Sequence, residues 1–130
     1  MQMNEMTNPF LTVPPHNYLG FHDEETQYPQ RVAEFLALDR NDVSKIADVP
    51  KLRVRWDNQM PEEVFQRLVE IGNTCELVAG YFKGDRPKTA LWFQVPNPLF
   101  GNISPRDMIR FGRYKKVQRI IQSALAGNTP

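Results

Sequence analysis

The stretch PEEVFQRLVEIGNTCELVAGYF, residues 61–82, decides the fold of this chain. It opens with a proline and two glutamates, which favours a helix start because proline needs no hydrogen-bond partner in the first turn and carboxylates stabilise the positive end of the helix dipole. Gly84 and Asp85 then end the helix. Cys75 is predicted to be a small core residue rather than a nucleophile. The apolar positions recur at alternating steps of four and three, which predicts one continuous buried face: Val64, Leu68, Ile71, Cys75, Val78 and Phe82.

Helical spacing also marks the chain before this long helix. Residues 32–36 carry apolar side chains at intervals of three and four, which predicts a first helix. A second short helix follows, with Asp39 or Asn41 as its cap. A proline then stops it and suits the first turn of a third helix, which holds Leu52 and Trp56 one turn apart.

Three further helices are predicted after the long one. Asp85 or Arg86 begins a short helix, which the proline at position 96 terminates because it excludes the helical conformation at the residue before it. Ser104 caps the next helix, with a proline in its first position. The last helix closes at Gly127. Since no alternating run is long enough for a strand, the sequence predicts an all-α fold, a small helical bundle without internal repeats.

Composition and charge are those of an ordinary globular protein. The 130 residues suit one domain with a tail, and the net charge of +1 does not indicate nucleic acid or membrane as a partner of the whole molecule. The single cysteine excludes an internal disulfide and fits a reducing compartment. We find no signal peptide, and no stretch approaches the roughly 20 apolar residues that span a bilayer. These features predict a cytoplasmic protein with no membrane partner.

Residues 1–28 differ from the rest in composition. They hold three prolines, the acidic run Asp23-Glu24-Glu25, both histidines and no lysine or arginine. We predict an N-terminal tail that is largely extended or disordered, or laid over another surface. His16 and His22 lack a third well-spaced ligand on a rigid element, so we predict no metal site. Five apolar side chains could pin part of the tail by packing: Phe10, Leu11, Tyr18, Leu19 and Phe21.

The chain carries no recognisable catalytic set. It has no glycine-rich phosphate loop and no pair of metal-ligand motifs, and both histidines lie in the tail, away from any serine and aspartate on a rigid element. Glu62 and Glu63 sit at a helix start, where stabilising the helix is the simpler role. The sequence therefore predicts no catalytic residue, no cofactor and no enzyme activity, and it leaves two binding hypotheses.

The first hypothesis is DNA binding by residues 29–60, which have the pattern of a helix-turn-helix-like region. A short third helix presenting basic and amide side chains suits phosphates and base edges in the major groove. The alternative is a solvated face of a helical bundle, and four nearby aspartates almost cancel the basic charge. The candidate DNA-binding residues are Lys51, Arg53, Arg55 and Asn58.

The second hypothesis is protein binding through LWFQVPNPLFGNISPRDMIRFGR, residues 91–113. Its prolines fix the backbone and hold Trp92 and Leu99 as a wedge against the last two helices, with Trp92 in the core. Phe93, Phe100 and Phe111 cannot all face inward, so at least one is predicted to be a contact anchor. A basic run surrounds them against one acid, Asp107, although such runs are often only a solvated helix face: Arg106, Arg110, Arg113, Lys115, Lys116 and Arg119.

Several unlike features occur in order within this region: Trp92, Pro96-Asn97-Pro98, Leu99, Gly101, Pro105 to Ile109, Gly112-Arg113 and an amphipathic helix from Val117 to Gly127. In this order they resemble the toxin-binding domain of the Xre/MbcA/ParS-like bacterial antitoxins. The segment upstream of residue 57 is similar to the helix-turn-helix part of these antitoxins. The resemblance covers roughly residues 30 to 127, and residues 61–130 would form the toxin-binding domain.

The resemblance implies a partner, a RES-type toxin that destroys cellular NAD, and a non-catalytic role for this chain. It implies neutralisation by covering the active site, a homodimer within a hetero-oligomeric complex, and operator DNA as a second partner in operon autoregulation. The alternative is a DNA-binding transcriptional regulator without a toxin partner. The C-terminal residues from Gly127 onward would obstruct the toxin's cleft. The predicted toxin-binding residues are Asn97, Leu99, Phe100, Arg106, Arg110, Arg113, Tyr114, Gly127, Asn128, Thr129 and Pro130.

Overall fold

The fold is all-α, as the sequence predicts. The computed structural model describes residues 8–12 and 14–127, and within these ranges it contains six α-helices and no β-strand. No helix in these ranges is long and apolar enough to cross a membrane. The helices are α1 (Pro29–Leu36), α2 (Arg40–Ala47), α3 (Glu62–Tyr81), α4 (Arg86–Gln94), α5 (Pro105–Arg110) and α6 (Tyr114–Leu125).

The long helix α3 is the centre of the bundle. Pro61 precedes its first turn and Phe82 follows its last, so the helix predicted over 61–82 is confirmed. The chain leaves the helix through Lys83 and Gly84, both in the left-handed region, at φ 58° and 82°. Every residue from 70 to 76 is buried, not only the apolar stripe. The middle of α3 is therefore surrounded on all sides, and its polar side chains hold neighbouring segments.

Local sequence chemistry accounts for the start of α2. Asp39 and Asp42 form a reciprocal capping box at the start of α2, with N–H to carboxylate distances of 2.8 and 3.0 Å. The third helix predicted around Leu52 is wrong: the chain forms only the three-residue 3-10 turn Lys51–Arg53. Leu52 is 90% exposed, while Val54 is buried in an extended conformation. Leu52 and Trp56 are spaced for one helix face, but only Trp56 packs against the core, and Val54 takes the buried position from extended backbone, so the segment crosses the bundle as a loop.

The N-terminal segment packs against the bundle. Apart from the 3-10 turn Pro9–Leu11, its described residues up to Tyr28 contain no helix. Of the five side chains expected to pin it, Phe10, Leu19 and Phe21 are buried, whereas Leu11 and Tyr18 remain partly in solvent.

Buried polar groups of α3 anchor the backbone of this segment. The Asn73 amide donates to the Phe10 carbonyl at 2.8 Å, and the Glu76 carboxylate accepts the N–H groups of Tyr18 and Leu19. Burial raises the pKa of Glu76, although these two N–H groups oppose the shift. The segment is thus tied to the helix that carries the rest of the core.

The N-terminal and C-terminal helices share one hydrophobic core, to which α1 to α6 all contribute. Two arginines of α5 connect the halves. Arg106 donates to the carbonyls of Leu36 and Ala37 at the end of α1, where the helix leaves carbonyl groups without partners. Arg110 pairs with Asp42 of α2, at 3.2 Å.

Candidate protein-binding surface

The proline loop between α4 and α5 is rigid because it closes on itself. The Asn97 carboxamide accepts the N–H of Leu99 at 2.9 Å and so caps the 3-10 turn Pro98–Phe100. The N–H of Asn97 donates to the carbonyl of Ile103 at 3.2 Å, and Gly101 makes the turn at φ 67°. The loop therefore holds its side chains in fixed positions.

The aromatic residues of this region divide between core and surface. Phe93 is fully buried, and Trp92 packs edge-on against it with ring centroids 4.9 Å apart. Trp92 itself is only partly buried, and the core position that the sequence predicted for it is occupied by Phe93. Phe100 is 3% exposed and supports the loop from inside, and its contact with a toxin stays a prediction. Phe111 is about half exposed, so the three phenylalanines do not all face inward, and the role of one of them as a contact anchor stays a prediction.

Trp92 and Leu99 line an open cavity of about 360 Å³, which we call the apolar groove. The groove lies between the end of α3, the outer face of α4, the proline loop and the last two turns of α6. Several of its side chains face solvent, led by Tyr81 at 71%, Leu125 at 48% and Leu99 at 45% exposure. Its lining residues are Val78, Tyr81, Phe82, Trp92, Asn97, Leu99, Ile120, Ile121, Ala124, Leu125 and Gly127.

Cations border the groove. Lys83 follows the groove residue Phe82, and Lys88 lies one turn before Trp92 on α4. Lys116 lies one turn before Ile120 on α6. All three lysines are exposed and form no ion pair within the described residues, and no aspartate or glutamate lines the groove. The surface combines an apolar floor with a border of three lysines and one acid, Asp85, which lies between Lys83 and Lys88 and caps α4.

The predicted basic run separates into paired and unpaired members. Arg110 bonds to Asp107 at 2.9 Å as well as to Asp42, and these two carboxylates raise its pKa. Together with Arg106 it is committed to contacts within the fold. Lys115 lies 3.5 Å from the buried carboxylate of Glu70. The members that are exposed without an ion-pair partner in the described chain are Arg113, Lys116 and Arg119.

Tyr114 holds α6 against α3 instead of facing a partner. It is 9% exposed and lies under the guanidinium of Arg67, 4.5 Å from its ring centre. Next to it, the Gln118 amide donates to Glu70 at 3.0 Å and to Thr74 at 3.1 Å. Its burial serves the α3–α6 junction, and its contact with a toxin stays a prediction.

The structure does not gather the candidate DNA-binding residues on a helix. Arg53 lies 3.7 Å from Glu63, and Arg55 lies 2.7 Å from Asp57, whose pKa it lowers. Lys51 is exposed. Asn58 is also exposed and borders a separate cavity of about 600 Å³ beside Tyr28 and Trp56. Two of the four candidate DNA-binding residues, Arg53 and Arg55, are therefore paired with neighbouring acids.

Among the predicted toxin-binding residues, Asn97, Leu99 and Gly127 meet at the groove, while Asn128, Thr129 and Pro130 lie outside the described residues. Sequence reasoning missed the groove residues on α3 and α6, because it assigns the whole apolar stripe to the core. The available signal is the width of that stripe on α6: Ile120 and Leu125 extend beyond the face that α3 covers. The described residues contain no cluster of ligands that could hold a metal.

Comparison with known proteins gives one relationship. No protein-family model matches the chain, and no solved structure matches it significantly. Curated sequences from Mycobacterium bovis and from two strains of Mycobacterium tuberculosis do match, each over 98 residues that make up 72% of this chain and 85% of the relative. Across most of its length, therefore, the chain is similar, as a distant homologue at 29% identity, to the mycobacterial cidal antitoxin MbcA.

Proposed function

We propose that this chain is the antitoxin of a type II toxin–antitoxin pair, and that it neutralises a RES-type, NAD-degrading toxin in the cytoplasm by binding it directly. The observation that carries the proposal is the apolar groove: a rigid, unfilled, mostly apolar surface in the half of the chain that resembles a toxin-binding domain. Exposed apolar patches of this kind mark protein-binding sites. The similarity to the antitoxin MbcA supports the same role.

Neutralisation in this proposal is steric. The described residues present no nucleophile activated by a base, and the one cysteine is buried, with its pKa raised by burial. The groove and the proline loop supply affinity because rigid side chains lose little entropy on binding. Residues 128–130 follow the groove residue Gly127, and we assign to them the obstruction of the toxin's substrate entrance.

The experiment is co-expression of this chain with the toxin encoded by the neighbouring reading frame, followed by size-exclusion chromatography and an assay of NAD consumption. We expect one complex without NAD-consuming activity. A variant without Asn128–Pro130 is expected to copurify with the toxin but to leave measurable NAD consumption at saturation. If this variant inhibited the toxin as completely as the full chain does, the helices alone would obstruct the toxin's substrate entrance.

Charge reversal tests the free cation near the turn between α5 and α6. Arg113→Glu is the clean variant, because Arg113 has no ion-pair partner in the described chain. Arg110→Glu would also break the contact with Asp42. We expect Arg113→Glu to weaken toxin binding most at low salt, where charge repulsion is least screened. Weakening that does not vary with salt would exclude an electrostatic role for Arg113.

Operon autoregulation and the alternative of a regulator without a toxin partner have less support, because Arg53 and Arg55 are paired with acids. The test is a gel shift on the chain's own promoter at low salt, with the chain alone and with its toxin complex. Binding that Lys51→Glu abolishes would support the DNA role, and absence of any shift would remove it. A homodimer within the complex stays a prediction, which the mass of the copurified complex tests.

A further inference from the structure

We propose that the apolar groove accepts an amphipathic helix of the toxin, with its apolar face on the groove floor and carboxylates on its flanks. The inference rests on the proposed function and names the element of the partner that fits this site. It is drawn from three properties of the groove: its shape, its small number of hydrogen-bonding groups, and the sign of its border.

The groove has the walls of a helix-binding site. Three helices and a loop enclose it, and its volume of about 360 Å³ has room for several apolar side chains. The exposed side chains of Tyr81, Leu99 and Leu125 stand around it. Helix-in-groove recognition uses such a surface, since residues at positions i, i+3, i+4 and i+7 project from one face of the bound helix.

Hydrogen bonding selects a helix over an extended segment. Few polar side-chain groups line the groove: the Tyr81 hydroxyl, the Trp92 indole N–H and the Asn97 carboxamide, whose oxygen already accepts the N–H of Leu99. An extended segment pressed onto this floor would bury backbone groups without partners, which is costly. A helix satisfies its own backbone groups and buries only side chains.

The border selects an acidic partner. Lys83, Lys88 and Lys116 are exposed and form no ion pair within the described chain, and Asp85 is the one acid beside them, so the border keeps a net positive charge. Carboxylates on both flanks of an incoming helix would complement them and guide its approach. A second copy of this chain fits less well, because a twofold pairing of two grooves would bring like-charged lysines together.

A fluorescence experiment reports on the groove directly. The chain has two tryptophans, and only Trp92 lines the groove. In the variant Trp56→Phe, the emission of this chain therefore comes from Trp92 alone, and the spectrum of the toxin by itself is subtracted. We expect a blue shift when the copurified toxin, stripped and added back, binds this variant, because the helix removes water from the indole.

Binding measurements with matched variants test the contact. Leu99→Glu and Leu125→Glu change side chains that are about half exposed, so the fold should persist, and thermal unfolding checks this. We expect each to weaken toxin binding about tenfold or more. The control is Leu52→Glu, which places the same charge on a more exposed leucine remote from the groove and should bind as wild type. Lys88→Glu with Lys116→Glu should weaken binding most at low salt, with Arg40→Glu and Lys45→Glu, two exposed cations of α2, as the matched control.

The outcomes separate the two proposals. Absence of any complex with the wild-type chain would remove the proposed function. A wild-type complex that tolerates both leucine variants without loss of affinity, and that leaves Trp92 emission unchanged, would overturn only the helix-in-groove inference. Concentration-dependent self-association with a blue shift of Trp92 in the absence of toxin would identify a second copy as the occupant and would also overturn the inference.

Discussion

Replacement of Phe10 by alanine should destabilise the whole bundle, although Phe10 lies near the start of the chain. Its side chain is 2% exposed, and its carbonyl accepts the amide of Asn73 on α3. It packs beside Gln118, on the flank of α6 that faces away from the apolar groove. Burying a phenylalanine contributes about 1.5–3 kcal/mol, and the cavity left by truncation raises the cost of Phe→Ala to about 3–5 kcal/mol in rigid cores.

A terminal segment can detach instead of leaving a cavity, so we expect a loss of about 2–4 kcal/mol in the free energy of unfolding of the Phe10→Ala variant. The assay is urea denaturation monitored by circular dichroism. Leu11→Ala is the matched control, because the neighbouring leucine is 65% exposed and should change stability by no more than about 0.5 kcal/mol. Equal denaturation midpoints for the two variants would refute the reasoning, because the segment would then contribute nothing to the core.

Three further predictions concern α3 and α4. Gly72→Ala would place a methyl group 2.7 Å from the Val32 side chain, so it should lower the free energy of unfolding by about 1–2 kcal/mol. Adding Val32→Ala makes room for this methyl group, so unfolding of the double variant should show less loss than the two single variants together. Because burial raises the pKa of Glu76 above its ordinary value of 4.5, the folded chain binds its proton more tightly than the unfolded chain does. The free energy of unfolding should therefore fall as pH rises above about 4.5. Denaturation at several pH values should show a smaller fall for the Glu76→Gln variant than for the wild-type chain. Trp92→Ala should lower the free energy of unfolding by about 1–3 kcal/mol, less than the same substitution of a fully buried tryptophan, and should also weaken toxin binding. An unchanged melting temperature would place Trp92 outside the packed structure.

The sequence by itself determined α1 to α6 and several of their ends, although it also predicted a helix around Leu52 that does not form. The spacing of apolar residues gives α3, Asp39 gives the cap of α2, and Ser104 gives the cap of α5. These signals are local, because a cap or a proline acts on the backbone within one turn. For the same reason the turn that closes on Asn97 is readable from its prolines and glycine.

The tertiary structure decided which residues, among those that the sequence suggests are on the surface, remain free to contact a partner. Arg106, Arg110 and Tyr114 are indistinguishable in sequence from surface residues, but long-range packing commits them to α1, α2 and α3. Conversely, Ile120 and Leu125 share the apolar stripe of α6, but α3 covers only part of it. Helical period fixes the direction of each side chain around its own axis, whereas only the placement of the neighbouring helices decides whether anything fills the space in front of it.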